Sequence, residues 1–157
     1  MIDQHMLIRD LSVSDVPNVV ELEQRVMPNP WNERQFKDSL LAGHYCSVLT
    51  QKAEIVAVAV FSQVVDQAEL LSIAVDTSQH RKGLARRLLT RGLERQKEDG
   101  ASFCVLEVMD SNIPAIHLYE SMGFRRCGVR KSYYKLAAGA VDALVMRLDF
   151  PHKEYQE

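Results

Sequence analysis

The chain has 157 residues, long enough for one domain with its own core, and its 46% hydrophobic and 25% charged residues are the balance of a soluble globular protein. A formal net charge of −2 gives no global attraction to nucleic acid or to an anionic membrane, so any anion site must be local. Cys46, Cys104 and Cys127 lack C-x-x-C spacing, which favours free thiols in a reducing cytoplasm over a disulfide framework or a zinc site, and the longest clean apolar run, 55–61, is too short to span a bilayer.

"MLIRDL" predicts a first strand. Ser14 is placed to cap a helix over Asp15–Val26, with Val16, Val19, Val20, Leu22 and Val26 on its apolar face. "PNPW" breaks that helix, and Asn32 with Gln35 three residues on predicts a capping box for a second helix ending near Gly43. "YCSVLT" and "IVAVAVFSQVV" read as antiparallel strands around the turn "QKAE", and "AELLSIAVD" as a further strand after Asp66-Gln67. A helix from about Gly83 to Asp99 stops at Gly100. "SFCVLEVM" is a buried strand, and Asn112 caps a helix through Met122. "FRRCGVRKSYY" and "VDALVMRL" form a last strand pair around a loop holding residues 137–140. The order β-α-α-β-β-β-α-β-α-β-β predicts a single α/β domain over 1–157, with a mixed sheet and helices on its faces. The strands ending near Val75 and Met109, each followed by a helix, should run parallel, and ligands bind beyond the carboxyl ends of such strands.

The junction "DTSQHRKGLARRLL" sets a basic loop with one glycine ahead of a helix. Helix starts carry unpaired N–H groups and partial positive charge, so they attract phosphate, and Gly83 with the small Ala85 leaves the backbone approachable. Neither G-x-x-x-x-G-K-[ST] nor G-x-G-x-x-G is present, which argues against a P-loop or a Rossmann site. "LLSIAVDTSQHRKGLARRLL" resembles the V-x-P-x-x-[QR]-x-x-G-x-[GA] segment of the GNAT N-acetyltransferases, and "LEVMDSNIPAIHLYESMGF" resembles their N-x-x-A-x-x-L-Y-x-x-x-G-F motif. "ELEQRVMPNPWNERQF" and "RKSYY" with "DALVMRL" extend the likeness to the RimI branch, bacterial enzymes that acetylate the N-terminal alanine of a small-subunit ribosomal protein. The sequence departs from the usual pattern at Thr77 (for proline) and His80 (for glutamine or arginine), whereas Ala85 in place of the second glycine is within it.

The resemblance implies a GNAT fold: a mostly antiparallel sheet whose central parallel strands splay apart around acetyl-CoA, used as cosubstrate with no metal. It implies cofactor contacts at Ile73, Ala74, Val75, Arg81, Lys82, Gly83, Leu84, Ala85 and Arg86, with Asn112 added from the second motif. Glu107 lies inside a buried strand, on a face with Phe103, Val105 and Met109. Position alone leaves it either paired with solvent or an arginine, or catalytic, and the resemblance makes it the proton acceptor. Tyr119 shares a helix face with Ala115 and Met122, where a core aromatic is the commoner outcome. The resemblance instead makes it the acid that protonates the leaving thiolate. It also places Trp31, Tyr133 and Tyr134 at the acceptor.

No second acid–base residue is evident beside Glu107. Cys104 points to the opposite face and reads as packed, and Arg125, Arg126, Arg130 and Lys131 read as a solvated strand face. His5, His44, His117 and His152 lack metal-ligand spacing. The leading expectation is an N-terminal alanine acetyltransferase with a ribosomal protein as partner. The alternatives are acetylation of a lysine or small amine, or an acyl-CoA-binding module without catalysis.

Overall fold

The computed structural model describes residues 5–80 and 82–151, which leaves Arg81 and His152 outside the described residues. The elements in chain order are β1 (Met6–Asp10), α1 (Val16–Val26), α2 (Glu33–Leu41), β2 (Tyr45–Gln51), β3 (Glu54–Val64), β4 (Gln67–Val75), α3 (Leu84–Glu98), β5 (Phe103–Met109), α4 (Ile113–Ser121), β6 (Arg125–Leu136) and β7 (Gly139–Asp149). That is the predicted succession. The strands hydrogen-bond in the order β1-β2-β3-β4-β5-β7-β6, mostly antiparallel, with β4 and β5 parallel as expected. Among the described residues, no helix is long and apolar enough to cross a membrane. The chain groups into two compact units, Met1–Ser62 with Leu71–Leu93 and Gln63–Leu70 with Glu94–Glu157, so that β4 is divided between them.

In the first unit, one face of β2, β3 and the end of β4 presents Cys46, Val48, Val58, Val60 and Ala74 to Val16, Val19 and Leu22 of α1 and Phe36 of α2. Burying each such aliphatic or aromatic side chain stabilises the fold by about 1.5–3 kcal/mol. The opposite face presents Phe61 to α3. A Cβ built at Gly92 would lie 2.1 Å from the Phe61 ring, so α3 carries a glycine in mid-helix, at a cost of about 1 kcal/mol, because the ring fills that space. The capping box forms as read, with Gln35 N–H donating to Asn32 Oδ1 and Asn32 N–H to Gln35 Oε1, both at 2.9 Å. The start of α1 differs from the expectation at Ser14. Asp15 is drawn backward by the Ser12 N–H (2.8 Å) and the Arg9 guanidinium (2.7 Å), so a 3-10 turn over Val13–Asp15 precedes the helix. Lys52 and Ala53, both with positive φ, close the β2–β3 hairpin.

In the second unit the parallel register runs from Gln67↔Phe103 to Leu70↔Leu106 and ends there, before the carboxyl end of either strand. β5 then pairs with β7, and β7 with β6. Cys104, Leu106 and Val108 form the buried face of β5, while Glu107 sits on the half-buried one. The β6–β7 connection is tighter than predicted: Gly139 and Ala140 belong to β7, paired with Leu136 and Lys135, leaving Ala137-Ala138 as a two-residue turn.

Candidate active site

Cross-strand register assembles one face of the second unit. Glu107 opposes Val145, and Val145 and Ala143 oppose Gly128 and Arg130, so Arg130 stands on the same face as Glu107 although 23 residues separate them. The Arg130 Nε forms an ion pair with Glu107 Oε1 at 2.9 Å, with the Glu107 side chain 17% exposed. Arg130 also lies over the Tyr133 ring, 5.5 Å from its centre, and Tyr133 meets Tyr134 edge-on at 5.1 Å. A hydrogen bond to Glu107 raises the Tyr133 phenol above its ordinary pKa, with burial adding to it. Tyr134 is pushed up to about 12, by burial first and the Glu107 charge second. Tyr119, fully enclosed in α4 and edge-on to Phe124 at 5.9 Å, is raised further still by burial and by Tyr134. Such a phenol holds its proton firmly until a strong base appears beside it.

Two features of this face escaped the sequence reading. Arg130 is exposed like the rest of its strand face, but it does more than meet solvent. Its neighbours Arg125, Arg126 and Lys131 do form exposed ion pairs, with Asp149, Glu120 and Asp142, but Arg130 holds Glu107. Glu69 is the second: it opposes Val105 across the parallel pair, which puts it on the Glu107 face. Burial raises its pKa, the Glu107 charge raises it further, and Arg130 opposes both. A second carboxylate therefore does stand beside Glu107. Local periodicity cannot reveal either neighbour, because both arrive through strand pairing. Cys104 is on the opposite face as read, and burial pushes its thiol up to about 12, leaving it inert.

The residues expected at the cofactor lie in the first unit, apart from Asn112. Ile73, Ala74 and Val75 end β4, with Ala74 buried in the core. His80 Nε2–H donates to the Val75 carbonyl at 3.0 Å, and Asp76 accepts the Ser78 N–H at 3.0 Å and Arg25 at 3.0 Å, which fixes the loop to β4 and α1. Lys82 reaches Gln79 Oε1 at 3.2 Å. Gly83 has φ +75, a left-handed conformation that favours glycine, and a Cβ there would meet nothing within 4 Å. Leu84 is buried and anchors the start of α3, whose first turn closes with Arg87 N–H on the Gly83 carbonyl at 3.1 Å. Ala85 is half-buried, and Arg86 is exposed. Open space over a glycine, a helix start and two nearby cations suit an anionic diphosphate.

Asn112 is the α4 cap, its Oδ1 accepting the Ala115 N–H at 3.3 Å. Trp31 packs edge-on against Phe36 at 5.2 Å, beside the first unit's core, so it is partly structural.

The acetyltransferase (GNAT) family matches residues 16–124. The [ribosomal protein bS18]-alanine N-acetyltransferase of Escherichia coli (strain K12) is 37% identical over 141 residues, which cover 90% of this chain and 95% of that protein. A putative enzyme of the same name from Bacillus subtilis (strain 168) is 30% identical over 88% of this chain and 92% of its own length. The crystal structure of the ribosomal-protein-S18-alanine N-acetyltransferase from Escherichia coli superimposes with a TM-score of 0.87 at 34% identity, covering 97% of this chain and 99% of that one. A family match over residues 16–124 and relatives this similar along nearly the whole chain place it in the GNAT acetyltransferase family, in the RimI branch.

Proposed function

We propose that this chain transfers the acetyl group of acetyl-CoA to the α-amine of the N-terminal alanine of ribosomal protein bS18, acting in the cytoplasm as one catalytic domain over 1–157. The observation that carries the chemistry is Glu107, an ionisable side chain inside a central strand, held by Arg130 and Tyr133 on a face shared with Glu69. A carboxylate has about four lone-pair sites, so Glu107 can hold both partners and still accept a proton from an incoming amine. The Glu69 and Glu107 carboxyls share this face, and a carboxylate there would pair with an incoming ammonium group before it is deprotonated.

Acetyl-CoA supplies the activated acyl group. The Gly83 loop, with Lys82 and Arg86, would bind its phosphates, and the backbone of Ile73–Val75 would line its pantetheine arm; the resemblance adds a cofactor contact at Asn112. Tyr119 would give its proton to the departing thiolate, and Trp31, Tyr133 and Tyr134 would border the acceptor.

At pH 7 deprotonating an α-amine costs roughly 1 kcal/mol, and deprotonating a lysine nearly 5, from their ordinary pKa values. The expected outcome is therefore rapid thiol release with an alanine-starting basic peptide, and slow release with the same peptide blocked at its N-terminus but keeping its lysines. Faster reaction on the blocked peptide would replace this reading with a lysine or small-amine acetyltransferase. No thiol release with either would leave only acyl-CoA binding.

A further inference from the structure

Strand β6 leaves regular pairing where the two tyrosines sit. The register runs from Arg130↔Ala143 to Tyr134↔Val141, so Lys131, Ser132 and Tyr133 are opposed by Asp142 alone. A bulge of this kind bends its strand and re-aims side chains. Within it Ser132 has φ +51, an uncommon conformation for a residue with a Cβ. Asp142 supplies what compensates it: Oδ1 accepts the Ser132 N–H at 2.7 Å, and Oδ2 accepts the Lys131 ammonium at 3.2 Å. These contacts, the Ser132 N–H foremost, hold the Asp142 carboxyl below the usual carboxylate range. Its backbone is anchored in turn, the Asp142 carbonyl accepting the Asp110 N–H at 3.0 Å just beyond β5.

The bulge decides what faces Glu107. Unbulged pairing from Arg130 would place Tyr134 opposite Gly139 and send Tyr133 to the other side of the sheet. With three residues spent against one, Arg130 and Tyr134 stay on the Glu107 face, and Tyr133 lies beneath the Arg130 guanidinium that pairs with Glu107. We propose that Asp142 is a positioning residue for acetyl transfer: its carboxylate holds the Lys131–Tyr133 bulge, and the bulge sets Tyr133 against the Arg130–Glu107 pair. This rests on the proposed function, and Asp142 acts through the Ser132 backbone and Tyr133 rather than on substrate.

Steady-state kinetics on the alanine-starting peptide test it, with thermal unfolding as the control for folding. Asp142→Ala should lose between roughly tenfold and a hundredfold in kcat/KM for the peptide while KM for acetyl-CoA is unchanged, since misplacement of reacting groups costs that much. Asp142→Asn keeps an Oδ1 acceptor for Ser132 and should stay within about threefold of wild type. Adding Asp142→Ala to Tyr133→Phe should cost nothing further, because both remove the same contact. If Asp142→Ala does not fold, Asp142→Glu, which keeps the charge but moves the acceptor by one methylene, takes its place in the same cycle. Wild-type kinetics in both Asp142→Ala and Asp142→Glu, or losses that add to that of Tyr133→Phe, would overturn the role of Asp142 and leave the proposed function standing. A wild-type protein inactive on the peptide overturns both.

Discussion

The two units build their working groups in opposite ways. In the first, the candidate donor site is largely backbone: a strand end, a left-handed glycine and a helix start, with His80 and Asp76 tying the loop down. In the second, the candidate acid–base face is almost wholly side chain, with Glu69, Glu107 and Arg130 on one sheet face and Tyr133, Tyr134 and Tyr119 beside them. A backbone site tolerates exchange of its side chains, which is consistent with Thr77 and His80 standing where the family pattern has other residues. A side-chain site does not tolerate exchange, because each group fixes the protonation and direction of the next.

The largest effect expected on that contrast is at Glu107. Glu107→Gln keeps the shape but cannot take a proton, and loss of a positioned base costs on the order of 10²–10⁴-fold. The loss should be greatest near neutral pH and shrink at alkaline pH, where an α-amine of pKa about 7.7–8.0 is already neutral. Tyr119→Phe should lower kcat by about 10² while moving KM little, since its proton is needed only as the thiolate leaves. Initial rates against pH for the two variants decide. A pH-independent deficit in Glu107→Gln, or near wild-type turnover in a folded Tyr119→Phe, would return that residue to packing.

The contrast is tested from the other side at Gly83. Gly83→Val forces a β-branched residue to φ +75, at a cost of about 1–2 kcal/mol, and sets a branched side chain in the open space over the loop. Binding of acetyl-CoA should weaken about tenfold, with peptide KM unchanged. Calorimetric titration checks it, and unchanged affinity would remove the Gly83 loop from the donor site.

The same division explains what the sequence made legible. Element order, the Asn32–Gln35 capping box, the Asn112 cap and the parallel pair were all readable, since each is written in local spacing or in the strand–helix succession. The start of α1 was missed because Arg9, outside the helix, competes for Asp15. Arg130, Glu69 and the Lys131–Tyr133 bulge were missed because each depends on a register that crosses strands far apart in sequence. Glu107 itself was visible as a lone carboxylate in an apolar strand, but its partners were not. The site's members could be suggested by motif, whereas its electrostatics needed the sheet.

The smallest effect concerns a carboxylate that breaks the contrast, Glu23, which is fully buried in the first unit and far more enclosed than Glu107. Ser72 donates to its Oε1 at 2.6 Å and the Trp31 N–H also bonds it, while among the described residues Oε2 has no partner. Burial raises its pKa, and the two donors only partly offset that. A carboxyl raised in the folded state binds its proton more tightly there than in the unfolded chain. Its contribution is therefore fully present below the unfolded value of about 4.3 and is lost as pH climbs through the folded one. Glu23→Gln keeps an acceptor for Ser72 and has nothing to ionise. Relative to wild type it should gain stability as pH rises above about 4.3, and the gain should level off once pH passes the folded value of Glu23. Urea unfolding of both proteins across that range provides the measurement. Parallel stability curves would mean that Glu23 takes up its proton alike in the folded and unfolded chain, with its donors fully offsetting the cost of burying the charge, and a carboxylate in the first unit would then be held without the cation that Arg130 supplies to Glu107 in the second.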